Sequence, residues 1–189
     1  MTFDQLNAKL GGAEKPDNWL QHSNGGGWVN KKAKIDPTVY IGENAIVFSG
    51  ILYGNARVYG NAQVSGNAWV YGNARVSGNA RVYGDAQVYG NAWVSGNAQV
   101  YGNAQVSGNA RVYGDAWEKS PLFILGTKHS IFEPKKGFIQ IGCNCQTPEW
   151  WLSSEGEEFA RDNGYSDADI AEYRLYVHLF IAKNALGNG

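Results

Sequence analysis

The chain has 189 residues and a formal charge of −1 from 16 basic and 17 acidic side chains, enough for one domain or one elongated solenoid with decorated ends. That charge splits into +2 over residues 1–34, zero over 35–117 and −3 over 118–189, so no segment carries the basic excess that duplex nucleic acid selects. The first 25 residues hold no continuous apolar run, which predicts neither a signal peptide nor a membrane span, and a cytoplasmic protein is expected.

Residues 1–34 read as an N-terminal cap. A short helix is predicted near Phe3 to Leu10, followed by Gly11-Gly12, Pro16 and the run Gly25-Gly26-Gly27-Trp28-Val29. Three glycines can cradle a phosphate, but no Lys-Ser/Thr follows them and no helix pattern opens there. The run is therefore expected to close the fold, with Trp28 covering the open end of the first coil, because a bare end exposes apolar side chains and unpaired strand groups.

Residues 35–117 are a repeat. From Leu52 to Trp117 a hexapeptide recurs without interruption: aliphatic, Tyr or Ser, Gly, Asn or Asp, Ala, then Arg, Gln or Trp. One such unit cannot bury its apolar face alone and must stack on copies of itself. If Ala, the variable residue and the next Val point in, out and in, each unit is a short strand, and Gly with Asn or Asp turns the corner, where a left-handed conformation is expected. Three strands and three corners close a triangular coil, and successive coils hydrogen-bond in parallel about 4.8 Å apart. Ile35 and Ile41 begin units that already obey the rule, and Val47 begins one that is a residue short before Leu52. Fourteen units make four and two-thirds coils, roughly 22 Å tall.

Residues 118–189 lose the period and read as strands plus a two-helix cap. Pro121–Leu125, Ser130–Phe132 and Gly137–Ile141 look like short strands that extend or cover the last coil. Thr147-Pro148-Glu149 starts a helix that Asn163-Gly164 stops. Ser166 with Asp169 starts a second, whose core stripe is Ile170, Tyr173, Val177, Phe180 and Ile181. Cys143 and Cys145 are too few for a disulfide framework or a four-ligand zinc site, so buried or half-buried free thiols are expected.

Together the Gly25-Gly26-Gly27-Trp28-Val29 run, the Tyr-Gly-Asn-Ala-Arg-Val type repeats, and the tail segments Ser120-Pro121-Leu122, Ile141-Gly142-Cys143 and Glu149-Trp150-Trp151-Leu152 resemble a group of bacteriophage and prophage hexapeptide-repeat proteins. The likeness covers most of the chain. It implies a mainly β fold, a left-handed parallel β-helix with an N-terminal cap and a C-terminal α+β cap, and the hand rests on the resemblance rather than on the period. It also implies a phage or mobile-element origin, hence the cytoplasm of a host cell. Function does not follow from the fold.

Hexapeptide acyltransferases resemble the repeat region and use a histidine as general base, with coenzyme A between neighbouring prisms. Residues 35–117 contain no histidine; His22 and His129 lie in the caps and His178 in the last helix. The γ-type carbonic anhydrases share the fold but need three histidines around zinc. No nucleophile triad or paired carboxylates stand out, and Asp85 and Asp115 occupy the corner position of Asn. The reading is therefore of a protein without catalytic residues, metal or cofactor, the enzyme alternative being an acyltransferase that uses acetyl-coenzyme A through His129 or His22.

Residues 18 apart stack, which sorts the outward positions. The first face is expected to carry Tyr53, Tyr71, Tyr89 and Ser107 in one column with Arg57, Arg75, Trp93 and Arg111 in another. The second carries Gln63, Arg81, Gln99 and Trp117 beside Tyr59, Ser77, Ser95 and Tyr113, and the third Ser65, Tyr83 and Tyr101 beside Trp69, Gln87 and Gln105. Three roles are open for the first face: ordinary strand stacking, contact with an oligomer or partner, or a nucleotide or anion site. Side-by-side trimers are usual for the resembling fold, so a homotrimer is expected. The primary reading is a phage binding scaffold for a host defence protein or a signalling nucleotide, with a virion structural component as a further alternative.

Overall fold

The computed structural model describes every residue except 115, 118 and 187–189. The chain divides into two compact units, Met1–Ser120 and Pro121–Gly189, each described by itself.

The first unit is a three-sided parallel β-solenoid of about five coils. Its first wall stacks Trp28–Asn30, Ile46–Val47, Gln63–Val64, Arg81–Val82, Gln99–Val100 and Ala116–Trp117. The second stacks Lys34–Ile35, Ile51–Leu52, Trp69–Val70, Gln87–Val88 and Gln105–Val106. The third stacks Tyr40–Ile41, Arg57–Val58, Arg75–Val76, Trp93–Ser95 and Arg111–Tyr113. Alternation places the Val and Ala of the repeat inward from Ala45 to Val112, where none of these is more than 1 % exposed. The rod is filled by its own side chains, each buried Val contributing about 1.5–3 kcal/mol of transfer free energy.

The corners divide their labour in a way the repeat alone does not reveal. Glycines from Gly54 to Gly114 take φ of 61–76°, whereas among the described residues none other than glycine has positive φ. The left-handed conformation expected at the corner is taken by the glycine and not by the Asn beside it. Its side chain instead bonds to its copy one coil on: Asn55 donates to Asn73 at 3.3 Å, Asn73 to Asn91 at 3.1 Å and Asn91 to Asn109 at 3.0 Å. A second corner holds Asn61, Asn79 and Asn97, and at the third Asn67 donates to Asp85 at 3.0 Å.

Two coils depart from the 18-residue register. Tyr40 pairs with Arg57 and Ile46 with Gln63, 17 residues apart, because the Val47 unit turns through Phe48-Ser49-Gly50. Gly50 has φ 107°, and a Cβ there would lie 2.6 Å from the Ala68 carbonyl oxygen. The second slip overturns an expectation. Gln99 pairs with Ala116 and Val100 with Trp117, so Trp117 leaves its outward slot and is buried in line with the valines. One shortened corner exchanges the facing of the strand that follows it.

At the other end, Trp28 pairs with Ile46, in register with outward Gln63, while Val29 pairs with Val47 inside. Trp28 thus faces outward and does not cover the coil end as expected. Helix α1 (Phe3–Lys9), closed by a capping box between Thr2 and Gln5, packs on this outer face, where Leu6, Trp19, Trp28 and Ile46 form a buried cluster. The sheet edge is closed by Trp19–Gln21, which pairs antiparallel with Trp28–Asn30. The Gly25–Gly27 run lies against the start of the third wall: Gly27 N–H donates to the Ile41 carbonyl at 2.9 Å, and a Cβ on Gly27 would come within 2.4 Å of the Gly42 oxygen. Gly25 and Gly27 serve close backbone approach, whereas Gly26 supplies a φ of 73°.

The second unit is a four-stranded antiparallel meander of Phe123–Leu125, Ser130–Lys135, Phe138–Ile141 and Asn144–Gln146, with three helices. The strands form their own sheet rather than further coils of the solenoid. The single helix expected after Thr147 is two, α2 (Pro148–Leu152) and α3 (Ser154–Asp162), because Ser153 donates to the Trp150 carbonyl at 2.7 Å and accepts from Gly156 N–H at 3.2 Å. Helix α4 (Asp167–Leu186) buries Ile170, Tyr173, Val177 and Phe180 against Ile131, Ile139, Ile141 and Trp151. Ile181, expected in that stripe, is exposed, as are Leu175, Leu179 and Leu186. Neither cysteine is in a disulfide; Cys143 is exposed in the turn after Ile141, contrary to the expected burial, and Cys145 is half-buried. None of the described helices is long and apolar enough to cross a membrane.

Candidate functional site

With the interior sealed, the chemistry of the repeat lies on the outside of the walls. On the second wall Tyr53, Tyr71 and Tyr89 stack with centroids 4.8 and 4.9 Å apart and planes within 9° of parallel, the spacing the strands impose. Trp69 sets its ring edge-on to Tyr53 and Tyr71, 6.4 Å from each. Tyr89 donates its hydroxyl to Gln105 Oε1 at 3.2 Å. Burial, then the flanking Tyr53 and Tyr89, raises the Tyr71 phenol above its ordinary value.

The third wall is cationic. Arg57 sits over the Tyr40 ring, 4.9 Å from its centroid, and Arg111 over Trp93 at 5.7 Å. Trp93 is fixed by an indole N–H bond to Ser77 Oγ at 3.0 Å. Arg57 and Arg75 are adjacent in register, an unfavourable like-charge pair. Among the described residues no acidic side chain forms an ion pair with Arg57, Arg75 or Arg111.

The seven residues expected on one face therefore lie on two. Tyr53, Tyr71 and Tyr89 follow the inward residue of a second-wall strand, and Arg57, Arg75, Trp93 and Arg111 begin third-wall strands beyond the Gly-Asn corner. The strand carries the residues on both sides of Val, so each Tyr shares a wall with the variable residue before it. The hydrogen bonds of Tyr83 to Gln99 and Tyr89 to Gln105 show the same pairing. Trp69 thus joins the tyrosine column instead of the third face, and Tyr40 and Ser77 join the arginine wall. The two columns flank a common edge.

None of the three histidines belongs to a wall strand. His22 is buried in the N-terminal loop, where Asn24 N–H meets its Nδ1 at 3.3 Å. His129 lies in the second unit with Nδ1 2.6 Å from the Tyr165 hydroxyl, and His178 is exposed on α4. Among the described residues no group of three or more His, Cys, Asp or Glu is placed to hold a metal ion.

A family model described as YdcK Beta solenoid repeat matches residues 52–66, 62–76, 74–86, 86–102 and 104–119. No curated protein and no solved structure matches the chain.

Proposed function

We propose that this β-solenoid repeat protein is a non-catalytic binding scaffold whose Tyr–Trp and Arg–Trp walls meet a protein partner. The supporting observation is the pair of columns at one edge: a stack of Tyr53, Tyr71 and Tyr89, and beside it Arg57, Arg75 and Arg111 with no acidic partner among the described residues. Aromatic and guanidinium groups are what protein interfaces concentrate, and arginines with no acidic partner among the described residues leave charge for an acidic patch. The first partner is a copy of the chain in a side-by-side trimer. The second, given the phage-type resemblance, is an acidic host protein, with occlusion of a defence factor as the biological use.

The repeat supplies its own test substitutions, because Ser replaces Tyr and Gln replaces Arg at equivalent positions elsewhere in the rod. Tyr71→Ser with Arg75→Gln is expected to leave the melting temperature within a few degrees and cut partner capture at least tenfold, as loss of interface hot spots does. Native mass spectrometry of the same pair reports the trimer. Undiminished capture together with an unchanged oligomer would overturn the proposal.

A further inference from the structure

A cavity of about 280 Å³ lies wholly within the second unit, bounded by the Ile141–Asn144 turn, α3 and α4. Ile141, Trp151, Phe159 and Val177 supply apolar walls, and the T-shaped pair of Tyr165 and Tyr173, 5.3 Å apart, completes them. This is the small end of the range for ligand sites, about 300 Å³ upward, which suits a planar bicycle and leaves no room for a sugar phosphate beside it. Among the described residues the charged side chains lining it, Glu157 and Arg174, bind each other at 2.7 Å, and Arg174 also donates to the Leu152 carbonyl at 3.0 Å. A neutral guest follows.

Three polar groups of the lining keep capacity for that guest. Burial first, then Tyr173, pushes the Tyr165 phenol up to about 12, so it keeps its proton and is placed to donate it to His129 Nδ1, 2.6 Å away. When Nδ1 accepts from that phenol, the ring nitrogen of His129 left to donate is Nε2. Asn163 gives its amide N–H to the Phe159 carbonyl at 2.8 Å and Asn144 gives its own to Cys143 Sγ at 3.6 Å, leaving both amide oxygens as acceptors. Aromatic walls with a donor and acceptors match a flat ring that has both kinds of group on its edge.

We propose that this cavity binds a small neutral heteroaromatic, a free base of the purine class, independently of the function proposed for the solenoid walls. The test is titration of the ¹⁵N-labelled full chain with adenine, followed by amide and indole N–H shifts, with indole and adenosine monophosphate as controls. Adenine is expected to give saturable shifts that include the Trp151 indole N–H, with indole and the nucleotide at least about tenfold weaker. His129→Phe, at an exposed position, is expected to weaken adenine roughly tenfold, and Ala160→Leu to abolish binding by filling the cavity, both with dispersed spectra retained. Absence of saturable shifts with adenine, shifts that survive both substitutions, or either control binding as tightly as adenine would overturn the assignment.

Discussion

Corner glycines allow the stacking of coils to be separated from the backbone conformation each corner needs. Gly66 has φ +69°, and a Cβ there would lie 2.8 Å from the nitrogen and 2.9 Å from the oxygen of Gly84, its copy in the next coil. Gly96 has φ +62°, yet its nearest neighbour would be 3.7 Å away. Alanine at either site costs about 1–2 kcal/mol for the left-handed backbone, offset in part by about 0.4–1 kcal/mol from a stiffer unfolded chain. These contributions are common to both and cancel in the comparison. Only Gly66→Ala adds backbone overlap, which must push coils apart, an overpacking cost of about 1–3 kcal/mol. Gly66→Ala is therefore expected to be less stable than Gly96→Ala by about 1–3 kcal/mol. Urea melts followed by circular dichroism measure this, with slopes compared because repeat arrays can unfold in parts. Equal midpoints at equal slope would refute close coil contact as the reason these corners are glycine.

The Trp117 indole N–H is buried without a hydrogen-bond partner among the described residues. Trp117→Phe, which removes that orphan along with some apolar area, is expected to melt within about 1 kcal/mol of the parent; Trp117→Ala is expected to lose about 3–5 kcal/mol. Equal losses would show that the N–H is satisfied. Asn73 bonds to Asn55 at 3.3 Å and to Asn91 at 3.1 Å, so Asn73→Ala is expected to cost about 1 kcal/mol in the same melts, and no change would mean that water replaces the column without loss. Hydrogen bonds from the Thr127 hydroxyl and then its N–H hold the Glu172 carboxyl below its usual range. That stabilisation is present above the ordinary glutamate value of about 4.3 and is lost as pH falls through the lower folded value. Glu172→Gln should flatten the acid limb of stability against pH, and superimposable acid melts would refute this.

The inward Val and Ala were legible because a period of six with alternation leaves one way to bury them. The corner was half legible. Glycine's positive φ follows from its missing Cβ, whereas the asparagine columns depend on coil register, which no single unit contains. The short Val47 unit is visible as a spacing of five between Val47 and Leu52. The second slip is hidden, because Trp117 also fits the outward slot and only the pairing with Val100 reveals that it turned inward. Assigning Tyr to the wall of the following Arg came from drawing the corner one residue early. Ser153 was legible in principle, since its hydroxyl caps α3 at Gly156, but the surrounding Trp-Leu-Ser-Ser-Glu reads as continuous helix. No spacing in the sequence marks the His129–Tyr165 pair, which antiparallel pairing and the start of α4 bring together across 36 residues.

The constant register, Arg57 on Arg75 on Trp93 and Val58 on Val76 on Val94, also governs how such a gene can change length. Losing or duplicating one whole turn rejoins like with like, so the rod shortens or grows while each stripe continues along its own side. Losing a single hexapeptide leaves the interior equally well filled but deals every later stripe to the next side, breaking a surface without unfolding the protein. Recombination between near-identical repeats can therefore rewrite what the exterior displays while foldability is retained.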